Sequence, residues 1–179
     1  MKKNSFHKAQ VWVETAVYTL IGLTIITILL AVVTPQIEKI KDKSIIEQTA
    51  TALNDINSKI EEAEQGSGNI RIINLKIAKG KLELNNPSNS ITYTLEDTKL
   101  ELSEPGEEIQ EGNIKIKTET FGSKFKITLT LTYPNLQLTY DNQPTSKTLQ
   151  AGTQTHKIKI ENIGDQTPNQ PIHIDFSLI

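Results

Sequence analysis

The hydrophobic pattern of the chain passes through three regimes. From Thr15 to Ile37 no residue is charged, a run of about 23 positions, and its centre from Leu20 to Val33 is nearly all apolar. Roughly 20 such residues in a helix, rising 1.5 Å each, cross a hydrocarbon core ~30 Å thick. Beyond Pro35 the apolar residues thin to a stripe. Ile46, Leu53, Ile56, Ile60 and Ala63 recur at helical or sevenfold spacing, with Ile45, Thr49 and Ala52 alongside. Asp42, Glu47, Asp55, Glu61 and Glu62 take the other side, so this segment reads as an amphipathic helix. Gln65-Gly66-Ser67-Gly68 supplies a C-cap and turn.

After Gly68 the period becomes two. Phe125, Ile127, Leu129, Leu131 and Tyr133 alternate with Lys124, Lys126, Thr128, Thr130 and Thr132. Ile172, Ile174, Phe176 and Leu178 alternate with His173, Asp175 and Ser177. Shorter strands are predicted at Asn69–Ile77, Lys81–Leu84, Ile91–Leu95, Lys99–Leu102, Asn113–Thr118, Leu136–Tyr140 and Thr155–Glu161. Turns fall at Asn85-Asn86-Pro87, Pro105-Gly106, Gly122, Asp141-Asn142-Gln143-Pro144, Gly152 and Gly164-Asp165. Many short alternating strands read as an antiparallel sheet or sandwich. The alternation slips phase between Ile72 and Ile73, which predicts a bulge or a strand end. Gly164–Pro171 reads as a surface loop.

The fold class is therefore α+β, with a long N-terminal helix followed by an all-β domain. The boundaries are a basic leader at 1–9, a transmembrane helix at 10–35, an amphipathic continuation at 36–65 and a β domain at 66–179. Pro35 predicts a kink in a rod roughly 80 Å long from Val11 to Gln65. Leu53, Ile56 and Ile60 are predicted to pack the outer half of the rod on the β domain. A coiled coil is the other use of that stripe, but its heptads are few and broken by Asn54 and Asn57.

A buried soluble helix and a removable secretory signal are the competing readings of the apolar run. About 140 polar-rich residues are too few to bury such a helix. A secretory core is normally 7–15 residues with a small-x-small site after it, and Thr34-Pro35-Gln36-Ile37-Glu38 lacks that pattern. Lys2, Lys3 and Lys8 precede the run with no acid among the first nine residues. Short positive flanks stay in the cytoplasm, which puts the β domain outside the cell.

Composition narrows the chemistry. The 179 residues carry a net charge of -2, so nucleic acid is not an expected partner. There is no cysteine, hence no disulfide and no thiolate site. The histidines are His7, His156 and His173. His156 shares the face of Ile158 and Ile160 and reads as a core or edge residue, while His173 falls on the polar face. Two histidines without a third ligand type in register make a weak case for zinc, and no metal is expected. No phosphate loop, nucleophile elbow or calcium loop is present. Glu107-Glu108-Ile109-Gln110-Glu111 has the charge to bind a cation weakly, but a solvated loop is the better reading. Asn86-Pro87-Ser88 is excluded as a glycosylation sequon by its proline. Neither an enzymatic activity nor a cofactor is expected.

The most specific motif is His7-Lys8-Ala9-Gln10-Val11-Trp12-Val13-Glu14. Glu14 stands at the entrance of the apolar helix, where a charge is costly. Either it snorkels to the headgroups and complements the helix N-terminus, or it meets a group from another chain. Basic residues, then Ala9-Gln10, then Glu14 four places later, then a long apolar helix, resemble an archaeal type IV pilin or pilin-like protein. Leu95-Glu96-Asp97-Thr98 through Ser103-Glu104-Pro105-Gly106, and His156 through Gly164, are also similar to uncharacterised archaeal pilin-like proteins. The resemblance implies cleavage between Ala9 and Gln10 by a prepilin peptidase. It implies that Glu14, fifth in the processed chain, neutralises a neighbouring subunit's N-terminal amine. Bacterial pilins usually begin with Phe or Met, whereas Gln10 can cyclise and lose that amine's charge. The expected partners are other pilin subunits, the peptidase and membrane lipid, and the expected function is a filament subunit. The alternative is a solitary anchored domain that binds a ligand or partner at the cell surface.

Overall fold

A computed structural model describes residues 5–164 and 171–179, with side chains from Val11 onward. Met1–Asn4 of the leader and most of the Gly164–Pro171 loop lie outside the described residues. The chain forms two compact units, one ending at Ile40 and the other spanning Lys41–Ile179. Helix α1, Ser5–Glu64, contributes to both, and its backbone remains helical through Pro35.

In the first unit α1 turns apolar side chains outward on every side. All five threonines between Thr15 and Thr34 turn their hydroxyls back onto the helix. Thr15, Thr19, Thr24, Thr27 and Thr34 each donate to the carbonyl four residues earlier, at 2.7–2.9 Å. A hydroxyl satisfied within its own helix needs no water, so these polar residues cost little in an apolar surrounding.

In the second unit the last six turns of α1 pack on ten strands in two sheets. The strands are β1 Ile70–Leu75, β2 Lys81–Asn85, β3 Ser90–Thr98, β4 Glu108–Glu111 and β5 Ile114–Phe121. They continue with β6 Lys124–Thr132, β7 Leu136–Tyr140, β8 Lys147–Gln150, β9 His156–Gly164 and β10 Ile172–Leu178. One sheet has the order β1-β9-β10-β7 and the other β4-β5-β6-β3-β2-β8. A single core joins Ile46, Leu53, Ile56 and Ile60 of α1 to Ile158, Ile160 and Phe176 of the first sheet and Leu82, Ile91, Tyr93 and Leu129 of the second.

Several expectations are corrected. β1 is regular, pairing residue for residue with β9 from Ile70 to Leu75. The apparent phase slip arises because Ile70 and Ile72 sit on the exposed face while Ile73 and Leu75 enter the core. Lys99–Leu102 is not a strand, because β3 ends at Thr98, whose hydroxyl accepts the Leu100 amide and turns the chain. Glu108–Glu111 is not a loop but an exposed edge strand, and its charges discourage further pairing. Lys147–Gln150 is a short strand without a long alternation to announce it. β7 and β10 run parallel, so the first sheet is mixed. Side-chain alternation carries no information on strand direction, which follows here from the chain crossing to the other sheet at β8 before it returns.

Candidate functional site

The distinguishing property of the first unit is its surface. Seventeen large apolar or aromatic side chains between Val11 and Ile40 are exposed, with Trp12 at 80% and Tyr18 at 72%. α1 is the one helix among the described residues long and apolar enough to cross a membrane. Trp12 and Tyr18 lie near its N-terminal end, the position of amphipathic rings at a membrane interface. Glu14 lies on the exposed surface between them. Ala9 and Gln10 have helical backbone.

The second unit holds its part of α1 by polar contacts as well as the apolar stripe. Leu53, Ile56 and Ile60 are at most 2% exposed. Asp42 is buried rather than on the solvent side: its carboxylate accepts from Lys79 Nζ at 2.7 Å and from Thr98 Oγ1 at 2.7 Å. Its neighbour Tyr93 donates to the Lys79 carbonyl at 2.6 Å, and burial pushes its phenol up to about 12. Asn57, which interrupts the heptads, is buried because its side-chain oxygen accepts the Tyr133 hydroxyl at 3.0 Å. Burial raises the Tyr133 phenol as well.

The helix C-terminus leaves carbonyls that the helix itself cannot satisfy. Asn162 Nδ2 of β9 donates to the Ala63 carbonyl at 3.0 Å, and Gly68 NH to the Asn162 carbonyl at 2.7 Å. Beside this cap Glu62 accepts from Lys59 and Arg71, each at 2.7 Å, and these bonds hold its carboxyl below the usual range. Burial, reinforced by Glu61, raises Glu64.

A second polar cluster went unseen in the sequence. His173 and Asp175, assigned there to the polar face, are 8% and 2% exposed. Thr139 of β7 lies 2.7 Å from His173 Nε2 and donates to Asp175 Oδ1 at 2.6 Å; Asn142 NH donates to the same oxygen at 2.7 Å. The signal that could have revealed it is Asp141-Asn142, two residues with positive φ that close a tight turn and aim the amide at Asp175. His156 is half-buried at the start of β9. Among the described residues no group of three or more His, Asp or Glu is placed to hold a metal.

These features define a class: an α+β protein whose N-terminal helix is long and apolar enough to span a membrane and whose last turns are built into a two-sheet domain. No family model, no curated protein and no solved structure matches the chain.

Proposed function

We propose that the chain is a membrane-anchored, pilin-like structural subunit, assembled into a surface filament through the first half of α1 after leader cleavage. The observation that carries this reading is the contrast between the two halves of one helix. Lys41–Glu64 buries its apolar stripe in its own domain, whereas Val11–Ile40 buries none of its large apolar side chains. Covering such a side chain is worth roughly 1.5–3 kcal/mol. Seventeen of them outweigh the ~5–15 kcal/mol by which an ordinary domain is stable. Lipid covers that surface before assembly, and the same half of other subunits covers it in a filament. Basic residues before the helix set the leader inside and the β domain outside. The helix–domain contacts keep the head attached to the helix that assembles.

The resemblance at Ala9-Gln10 and Glu14 makes the proposal specific. The test is the N-terminus of the protein isolated from native membranes or filaments. Mass spectrometry is expected to find Gln10, in open or cyclised form, as the first residue. A protein that retains Met1–Ala9 overturns the filament reading in favour of a solitary anchored domain.

A further inference from the structure

β4 and β8 are the two edges of the six-stranded sheet, and each is four residues long. In an antiparallel ladder alternate residues turn their backbone groups toward the neighbour and the rest turn outward. The two-residue turn Gly112-Asn113 makes Glu111 and Ile114 a hydrogen-bonded pair, so Ile109 also bonds to β5 while Glu108 and Gln110 face outward. At the other edge the Ala151 amide donates to the Gly80 carbonyl, which makes Leu149 and Leu82 the hydrogen-bonded pair and turns Thr148 and Gln150 outward. The two open edges match each other. Setting Thr148 against Gln110 of another copy and Gln150 against its Glu108 uses all of these outward groups. The same register puts Lys147 opposite Glu111 and Leu149 opposite Ile109. Glu111 forms no ion pair among the described residues, and Lys147 has the Tyr140 ring, 5.0 Å away, in place of an acid. Ile109 is 43% exposed although Ile116, its partner on β5, is buried; Leu149 of the added strand would lie on the same core-facing side.

We propose that β8 of one copy pairs antiparallel with β4 of a second copy, extending the six-stranded sheet from one outer domain to the next. The other edges fit less well. On β7 the outward amides of Leu136, Leu138 and Tyr140 already donate to Tyr133, Asn89 and Gln143. The one charge on β1, Arg71, is held by Glu62 and selects no partner. The charges that keep β4 from a second β4, all acidic, suit the lysine of β8. The contact joins two different edges, so each pair of copies leaves a β4 and a β8 free for further copies and the series does not close on itself. It goes beyond the filament reading, which concerns α1, by naming a contact for the outer domain. Two four-residue strands pair weakly alone, and confinement in one membrane or filament supplies the effective concentration.

The chain has no cysteine, so introduced ones report on this contact alone. The full chain carrying Thr148→Cys and Gln110→Cys, both at exposed positions, is treated in native membranes with a short thiol-to-thiol cross-linker. A ladder of linked copies is expected. Within one copy the two positions stand at opposite edges of six strands, about 24 Å apart, beyond the reach of the linker. Adding Lys147→Glu is expected to lower the linked fraction by about 2–30-fold, because an attracting pair becomes a repelling one. Adding Glu111→Lys as well is expected to restore it. Absence of a ladder, a ladder indifferent to Lys147→Glu, or equal linkage from Thr148→Cys alone overturns the proposal. The N-terminus of the same protein keeps the two readings apart. Gln10 first without a ladder removes this contact and leaves the filament reading; a ladder from a protein retaining Met1–Ala9 does the reverse.

Discussion

Asp42 and Thr98 stand 56 residues apart and are joined by a 2.7 Å hydrogen bond from the threonine hydroxyl to the buried carboxylate. That bond and the 2.7 Å pair to Lys79 fasten α1 in its first turns within the β domain. The stripe from Ile46 to Ala63 is buried in the shared core, and Asp42 supplies a direction: its carboxylate meets both donors only in this register of the helix.

Breaking that contact is expected to cost more than its exposure on the helix suggests. Lys79→Met leaves a carboxylate that is 7% exposed with Thr98 as its remaining side-chain donor. Asp42→Ala releases Lys79, already 41% exposed, to water and leaves the Thr98 hydroxyl without its acceptor. Each is expected to destabilise fragment 39–179 by about 1–3 kcal/mol, with Lys79→Met the worse. Urea unfolding measures the difference, and two neutral substitutions would show that the stripe alone sets the helix.

Fragment 39–179 is expected to be soluble and mainly β by circular dichroism, with a helical minority. Leu53→Ala or Ile56→Ala in it is expected to cost about 2–5 kcal/mol, because the cavity lies where helix and sheets meet. Ile40→Ala, at a position 69% exposed, is expected to cost nothing measurable. Equal urea midpoints for Leu53→Ala and Ile40→Ala would place the stripe outside the core.

Gly80 has φ +79°, and a Cβ there would run into the Thr94 carbonyl and lie 2.8 Å from the Tyr93 hydroxyl. Gly80→Ala therefore adds left-handed strain of ~1–2 kcal/mol to a backbone clash. A melting temperature lower by several degrees is expected. Gly112→Ala, also left-handed but open to solvent, separates the strain from the clash and is expected to lose less.

Acid is expected to weaken the domain through Glu62 and Glu119. Lys59 first, then Arg71, hold the Glu62 carboxyl below its ordinary 4.5, and Lys126 and Lys117 do the same for Glu119. A carboxyl whose folded value is lowered contributes stability above its unfolded value and loses it as pH falls through the folded one. Glu62→Gln should melt below wild type at pH 7, and the gap should close as pH drops below about 4.5. A gap that stays constant into acid would mean that the Glu62 contacts are not electrostatic.

Glu14 serves assembly in the filament reading and not the fold of the β domain. Glu14→Ala and Glu14→Gln are expected to leave membrane insertion and domain melting unchanged, since removing a charge from an apolar segment eases insertion. Filament yield at equal expression is expected to fall sharply for Ala. Gln separates charge from shape, and it should assemble almost normally if Gln10 is cyclised, because the amine's charge is then already gone. Equal yields from all three proteins would remove Glu14 from the assembly mechanism.

The sequence by itself determined the elements with a strong period. The uncharged run at Thr15–Ile37 leaves helix as the only way to satisfy its backbone in an apolar surrounding, and the alternation over Lys124–Tyr133 places β6 almost to the residue. It also put Leu53, Ile56 and Ile60 on one face. Periodicity cannot say what lies across from a face, and there the tertiary structure decided. Asp42 is buried because Thr98 and Lys79 arrive from distant strands. His173 and Asp175 are buried because β10 is an inner strand, flanked by β9 and β7, with Thr139 and the Asp141-Asn142 turn closing on them. Strand direction, the edge position of β4 and the regularity of β1 are likewise pairings, and a pairing belongs to two segments at once. Local pattern records how one segment divides apolar from polar; only contact between segments fixes which polar groups find partners, and so which of them can be buried.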